Sequence, residues 1–315
     1  MENPKASGAV HQMRVVLLLV LSVSMVSSAS ILILVSTSPP LVIVFWRTLY
    51  GAMLMAVIGA ARGDSHAIRG TLLKKNWRWL IFTGVMLSLH FSAWFTSLTM
   101  TSLAASVVLT DSSPIFTAVL STLVLKEPLR RMSWAGVIVA VTGAVALSWS
   151  DLVSTGSQAL AGDLLALLSA VFLAVYFIGG RRFAKGLPVS VYTSTVYASA
   201  AASTLVLCLI SGTNIAVFET REVVIFLALA IFPTVLGHSV NNYLLTIVPA
   251  YVVSSAVLGE PIGATLLGVI ILNRIPSVET ILGFAVILIG VGLVIVDLAV
   301  GAKRGISTLD YSDGP

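Results

Sequence analysis

An apolar pattern of five membrane-length stretches occurs twice in this chain, and the odd number per copy dictates how the copies must sit. In the later part of each half, an offset of 147 residues lays Pro114 on Pro261, Ile115 on Ile262, Leu120 on Leu267, Leu125 on Leu272, Gly136 on Gly283 and Gly143 on Gly290. One step earlier the offset is 148, which lays His90 on His238 and Phe95 on Tyr243. A span needs about 20 apolar residues. Ten segments qualify: 14–36, 39–61, 79–99, 103–125, 133–150, 160–181, 189–211, 222–245, 250–272 and 276–298. With five crossings per copy, the second copy runs through the membrane in the opposite sense. Inverted repeats of this kind frame a midplane site in many secondary transporters.

The expected fold is therefore an all-α integral membrane protein. Ten transmembrane helices form two inverted five-helix repeats around a central cavity. Residues 1–13 read as a cytoplasmic N-terminal segment, 14–150 as the first repeat, 160–298 as the second, and 299–315 as a polar cytoplasmic tail. Only 10% of the residues are charged, against about a quarter in soluble domains, and the mean hydropathy is +1.03. The first apolar run is too long for a signal peptide and lacks a clear cleavage site, so it reads as an uncleaved span. Cys208 is the single cysteine, which rules out an intrachain disulfide and argues against a thiolate metal site.

The 18 basic residues sort by side. Fifteen fall on the N-terminus, the alternate loops and the tail: Lys5, Arg14, Arg62, Arg69, Lys74, Lys75, Arg78, Lys126, Arg130, Arg131, Arg181, Arg182, Lys185, Lys303 and Arg304. Arg221 and Arg274 take the opposite side, and Arg47 falls inside a span. Positive charge stays cytoplasmic, so both termini are placed in the cytoplasm of a multi-pass cell-membrane protein. The net charge of +5 is thus a topology signal, and the partner it implies is the lipid bilayer, not nucleic acid.

Pro114 and Pro261 sit at matched places inside spans four and nine. Proline leaves a carbonyl without its donor and bends a helix, which a membrane helix tolerates where neighbours or a cavity satisfy the freed group. These two are candidate gating points. Gly136, Gly143, Gly283, Gly290 and Gly292 lie on spans five and ten, where small residues permit close helix approach. Packing within one subunit is the reading favoured over a dimer face, and a monomer or weak homodimer is expected.

Ionisable residues at bilayer depth are candidate sites. Asp297 can reach the cytoplasmic interface and is set aside. Arg47 and Asp111 both lie roughly 12 Å below the outer face at about 1.5 Å per residue. Equal depth and opposite charge make them expected partners. Glu260 lies about 15 Å from the inner end of its span, with no obvious basic partner, and is the candidate for a coupling proton or for contact with a substrate amine. His90 and His238 are related by the repeat. Trp94, Asn241, Asn242 and Tyr243 fall near them, Trp46 and Tyr50 flank Arg47, and Tyr176 lies within span six. An aromatic-lined cavity with few polar groups suits a medium-sized organic molecule.

The membrane region, residues 14–298, resembles the EamA-type carriers of the drug/metabolite transporter superfamily. The resemblance rests on Phe45-Trp46-Arg47, on Pro114-Ile115-Phe116-Thr117-Ala118 followed by Leu125-Lys126-Glu127-Pro128-Leu129, on Gly136 and Gly143, on Glu260-Pro261, and on the Gly283 to Gly290 run. It implies ten helices, two inverted halves and a cavity between them. Members export amino acids and other metabolites, and some handle drugs or aromatic compounds. Asn273 stands where the second copy of that pattern often carries a glutamate matching Glu127. Asp111 falls outside the pattern, which makes it a candidate for this chain's own substrate.

A carrier for a small zwitterion is the function these observations favour, with an amino acid, aromatic ones included, as substrate and export as direction. A drug or other metabolite carrier of the same fold is the alternative. An intramembrane enzyme would need a nucleophile and base or a metal signature such as H-E-x-x-H, and the sequence has neither. A channel would need a repeated selectivity element, which is also missing. No cofactor or metal is expected.

Overall fold

The structure, a computed structural model, describes residues 4–101, 103–147, 157–216, 219–272 and 278–303. Fourteen α-helices follow one another: α1 (Pro4–Val26), α2 (Ser28–Val35), α3 (Pro40–Ala61), α4 (Thr71–Ser97), α5 (Leu103–Thr110), α6 (Ser113–Val124), α7 (Arg131–Leu147), α8 (Ser157–Phe183), α9 (Val189–Ser211), α10 (Thr220–Leu229), α11 (Ser239–Ile247), α12 (Ala250–Val257), α13 (Glu260–Leu272) and α14 (Val278–Lys303). A 3₁₀ turn (Asp64–Arg69) follows α3, and a π-helical segment (Ala230–His238) joins α10 to α11. No strand occurs among the described residues.

These elements make ten spans, several of them discontinuous. Eight are long and apolar enough by themselves to cross a bilayer. The remaining two are span four, split into α5 and α6, and span five, which is the 17-residue α7. Connections are short: Gly63 and Gly212 close their helices at φ 76° and 68°, a backbone that residues with a Cβ adopt only under strain.

Proline placement explains the discontinuities. A proline leaves the carbonyl four residues earlier without a donor. For Pro114 that carbonyl belongs to Thr110, where α5 ends. For Pro261 it belongs to Val257, where α12 ends. The expected bends are therefore full breaks, with turns at 111–112 and 258–259 and each proline in the first turn of the helix that follows. There its missing N–H goes unnoticed. A third proline acts in the same way: Pro233 frees the carbonyl of Leu229, where α10 gives way to the π segment. Thr234 Oγ1 donates to that carbonyl at 2.8 Å.

Packing follows the repeat. α3 lies on α9 and α7 on α14, pairing spans two with seven and five with ten. The α4–α8 contact (spans three and six) has its counterpart in α1 against the π segment (spans one and eight). α7 and α14 meet backbone to backbone: a Cβ on Gly290 would stand 2.4 Å from Ala140 N, and one on Gly136 2.7 Å from the Gly290 carbonyl oxygen. Gly136, Gly143 and Gly290 thus serve packing inside one subunit, whereas a Cβ on Gly292 would meet nothing within 4 Å. Outward, Leu123, Leu209, Ile210 and Ile270 are exposed, as expected of a surface that faces lipid.

Candidate functional site

The two helix breaks, the π segment and the buried part of α3 converge on one cavity. It is lined by Arg47, His90, Phe91, Trp94, Thr110, Asp111, His238, Asn241 and Glu260, together with apolar residues of α1, α8 and α12. Its volume is about 20 Å³, room for about one water molecule. Asp111 lies in the turn after α5, and Glu260 opens α13 beside the matching turn. A break exposes backbone polar groups and re-aims the side chains beside it, so a polar site can form at membrane depth without a polar helix.

Arg47 is wholly buried. Its Nε and Nη2 donate to Thr234 Oγ1 at 3.3 and 3.1 Å, and its guanidinium carbon lies 4.0 Å from the centre of the Phe91 ring. A desolvated cation over an aromatic face is stabilised by about 2 kcal/mol. The Thr234 hydroxyl links three events: Pro233 frees a carbonyl, Thr234 covers it, and Arg47 is held by the same oxygen. The expected pairing of Arg47 with Asp111 is not formed, since no ion pair joins them among the described residues. Arg47, Asp111 and Glu260 instead share the lining of the one cavity. Depth along a straight helix gave the level of Asp111 but not the direction in which the break turns it.

Several polar atoms around this cavity have no hydrogen-bond partner among the described residues. They are Arg47 Nη1, Trp94 Nε1, Asp111 Oδ2, His238 Nδ1, both amide atoms of Asn241, and Glu260 Oε1. Buried polar groups are normally satisfied, so a cluster of unpartnered donors and acceptors around a single cavity makes it the candidate ligand site. His90 is better satisfied: its Nδ1 lies 2.9 Å from Ser169 Oγ and its ring stacks on Trp94 with centroids 6.0 Å apart. His238 is flanked edge-on by Phe91 and Tyr176.

The other candidates lie elsewhere. Asn242 and Tyr176 form a layer behind His238, where Asn242 Nδ2 donates to the Tyr176 hydroxyl and, at 2.8 Å, to the His238 carbonyl. Trp46 donates to the Ile215 carbonyl at 2.9 Å and packs on Tyr50, off the cavity. Tyr243 accepts from Arg14 at 2.9 Å and lines a separate pocket.

That pocket is one of two vestibules. At the end richer in basic residues it has about 440 Å³, with Arg14, Arg62, Asp64, Ser190, Ser239 and Tyr243 in its wall. At the opposite end a pocket of about 270 Å³ is lined by Ser30, Ser36, Ser38, Phe95 and Leu98, among others, and by Trp94, which also lines the central cavity. Trp94 is thus a shared wall. On the other side, His238 and Asn241 in the central cavity bracket Ser239 and Val240 in the basic-end vestibule.

Each end is tied. At the basic end Arg181 pairs with Glu127 at 2.7 Å and donates to the Leu245 carbonyl at 3.1 Å. Asp297, set aside in the sequence, is buried there between Arg130 at 3.2 Å and Ser133 Oγ at 2.6 Å. At the opposite end Glu222 is buried and accepts hydrogen bonds from Ser36, Thr37 and Ser38, the link between α2 and α3.

The sequence model of the EamA-like transporter family matches residues 13–149 and, a second time, residues 160–296. The chain belongs to the EamA-like transporter family. It is a multi-pass membrane transporter, and its two matches correspond to the inverted halves of that fold. An uncharacterized transporter of Bacillus subtilis (strain 168), YwfM, is 28% identical over 245 residues, 76% of this chain and 81% of that protein. A solved structure described only as a crystal structure of a protein shares the fold: its TM-score is 0.74 over 91% of this chain and 99% of the other, at 22% identity.

Within this EamA-like transporter, sequence reasoning missed Thr234, Phe91, Thr110 and Glu222. Pro233 was the available signal for Thr234, since a proline inside a span requires a substitute donor nearby. Asn273, Arg274 and Pro276 lie outside the described residues.

Proposed function

We propose that this transporter moves a small zwitterion, an amino acid with an apolar or aromatic side chain, outward across the cell membrane by alternating access. The observation that supports it is the unpaired set of polar atoms around the central cavity: donors on Arg47, Trp94 and Asn241, and carboxylate acceptors on Asp111 and Glu260. A carboxylate on Arg47 and an ammonium between Asp111 and Glu260 would satisfy both sets. With both carboxyls ionised, one guanidinium among two carboxylates leaves negative charge in excess, which favours a ligand with an amine. Trp94 and Phe91 supply the apolar wall, His90 and His238 border it, and Glu260 is the group assigned to carry a coupling proton.

A 20 Å³ cavity is too small for an amino acid, so transport requires expansion toward one vestibule at a time. The breaks at Pro114 and Pro261 are the hinges assigned to that motion, between halves 14–150 and 160–298. Both termini are assigned to the cytoplasm by the distribution of basic residues. Export rests on the family resemblance.

Counterflow in proteoliposomes tests this reading. Vesicles preloaded with an unlabelled amino acid should accumulate the labelled one saturably, and a panel at two pH values should rank apolar and aromatic amino acids first. No exchange of any amino acid, with exchange of an organic cation lacking a carboxylate, would replace this reading with that of a drug carrier.

A further inference from the structure

The basic end carries a second feature, separate from the transport path. Between α4, α6 and α8 an outward-facing groove of about 290 Å³ is walled mainly by apolar residues, among them Trp79, Phe82, Leu120, Val124, Ile178 and Phe183. Trp79 and Phe183 stack with ring centroids 5.4 Å apart and planes 9° apart, and Trp79 and Phe82 remain exposed. The groove lies on the protein's perimeter, among the exposed apolar residues.

One cation lines it and two more stand on the adjoining turns of α4. Arg182 is exposed, lines the groove, and donates to the Val124 carbonyl at 3.5 Å. Arg181 before it turns inward to Glu127, so the adjacent arginines serve opposite sides of the same helix end. On α4, Lys75 precedes Trp79 by four residues and Arg78 precedes Phe82 by four, which puts both on the helix face that carries the groove aromatics; the Arg78 guanidinium carbon lies 5.5 Å from the centre of the Trp77 ring, beside the groove. Helical side chains lean toward the N-terminus, here toward the membrane surface, and both cations are exposed. No acidic residue lines the groove. An apolar groove with exposed cations and no acidic residue at its basic end matches an anionic amphiphile.

We propose that this groove binds an anionic phospholipid, its phosphate on Arg182 and Arg78 and one acyl chain along Trp79, Phe82 and Phe183. The ammonium of Lys75 completes the headgroup site. A zwitterionic phospholipid would bring a choline cation into the same cluster and is disfavoured.

Native mass spectrometry of the full chain tests the proposal, after equilibration in mixed micelles holding equal phosphatidylglycerol and phosphatidylcholine with identical acyl chains. The wild type should retain phosphatidylglycerol severalfold over phosphatidylcholine. Arg78→Gln with Arg182→Gln should bring the ratio close to one, while Arg62→Gln, in the basic-end vestibule, leaves it unchanged. Equal retention of the two lipids by the wild type, or an unaltered ratio in the double variant, would overturn the proposal. So would a dimer lost through the same substitutions, which would give the groove to a second copy. Should the double variant fail to fold, the wild type still decides the matter. Brominated phosphatidylglycerol should quench the fluorescence difference between wild type and Trp79→Phe more than brominated phosphatidylcholine does, and equal quenching refutes selectivity.

Discussion

Removing the Glu127 carboxylate isolates a guanidinium that the fold has taken out of water. The Arg181 side chain is 2% exposed and that of Glu127 14%. Nε and Nη2 of Arg181 both donate to Glu127 Oε1, at 2.9 and 2.7 Å, and Nη1 donates to the Leu245 carbonyl at 3.1 Å. Glu127→Ala therefore leaves a buried cation with only a backbone carbonyl for company. Breaking a buried pair by deleting one partner costs about 3–5 kcal/mol. Arg181→Met is the milder change, because Glu127 is the less buried partner, 14% exposed against 2%; an unsatisfied buried group costs about 1–3 kcal/mol. The double variant replaces the pair with apolar atoms and should sit near Arg181→Met, so the single losses do not add. At about 2–4 °C per kcal/mol, detergent-solubilised Glu127→Ala should melt roughly 6–20 °C below wild type. Arg181→Met should melt above Glu127→Ala, and the double variant should recover most of the loss. An Arg181→Met protein less stable than Glu127→Ala, or losses that sum in the double, would refute the reasoning from burial.

Three further perturbations probe other parts of the molecule. Glu260→Gln removes the carboxyl assigned to the coupling proton, so uptake into proteoliposomes should lose its pH dependence across the neutral range; a wild-type pH profile in that variant would sink the assignment. Gly290→Leu forces side-chain atoms into the α7–α14 backbone contact, where a Cβ alone already meets Ala140 N at 2.4 Å. Overpacking costs about 1–3 kcal/mol or more, and a lowered melting temperature with an unchanged monomer elution volume is expected, whereas a change confined to oligomeric state would restore the dimer-face reading. Glu222→Ala strips the Ser36–Ser38 link of its shared acceptor, and a cysteine placed at Ser38 should then react faster with a membrane-impermeant maleimide; equal rates with and without Glu222 would show that the carboxylate does not hold that end.

Much of the architecture was legible because the bilayer allows few solutions. Span length, the repeat offset and the sorting of arginine and lysine each follow from the cost of putting backbone or charge into hydrocarbon. The lining of the candidate cavity was legible for the same reason: Arg47, Asp111, Glu260, His90, His238 and Trp94 are polar or amphipathic groups at depth, and all six line it. What escaped was direction. Asp111 was paired with Arg47 from depth alone, although the break after Thr110 decides which way it faces. Tyr243 was grouped with His238 from nearness in the sequence. After the π segment, Asn241 lines the cavity, Asn242 turns to Tyr176 and Tyr243 faces Arg14. Thr234 escaped because a threonine in a membrane helix carries no signal unless the proline beside it is read as freeing a carbonyl. Glu222 and Glu127 lie near span ends, where charge is cheap, so only tertiary contacts reveal them as ties between segments.

The central claim is that the buried charges beside the helix breaks form the substrate site. It is tested most directly by ligand-induced thermal shift, with the preferred amino acid on wild type, Arg47→Ala and Asp111→Asn. Loss of a charge-assisted hydrogen bond of about 1.5–3 kcal/mol corresponds to roughly 10- to 150-fold weaker binding. Both variants should therefore need at least tenfold more amino acid for the same shift, while keeping the melting cooperativity of the wild type. Wild-type concentration dependence in both variants would place the substrate elsewhere and contradict the account.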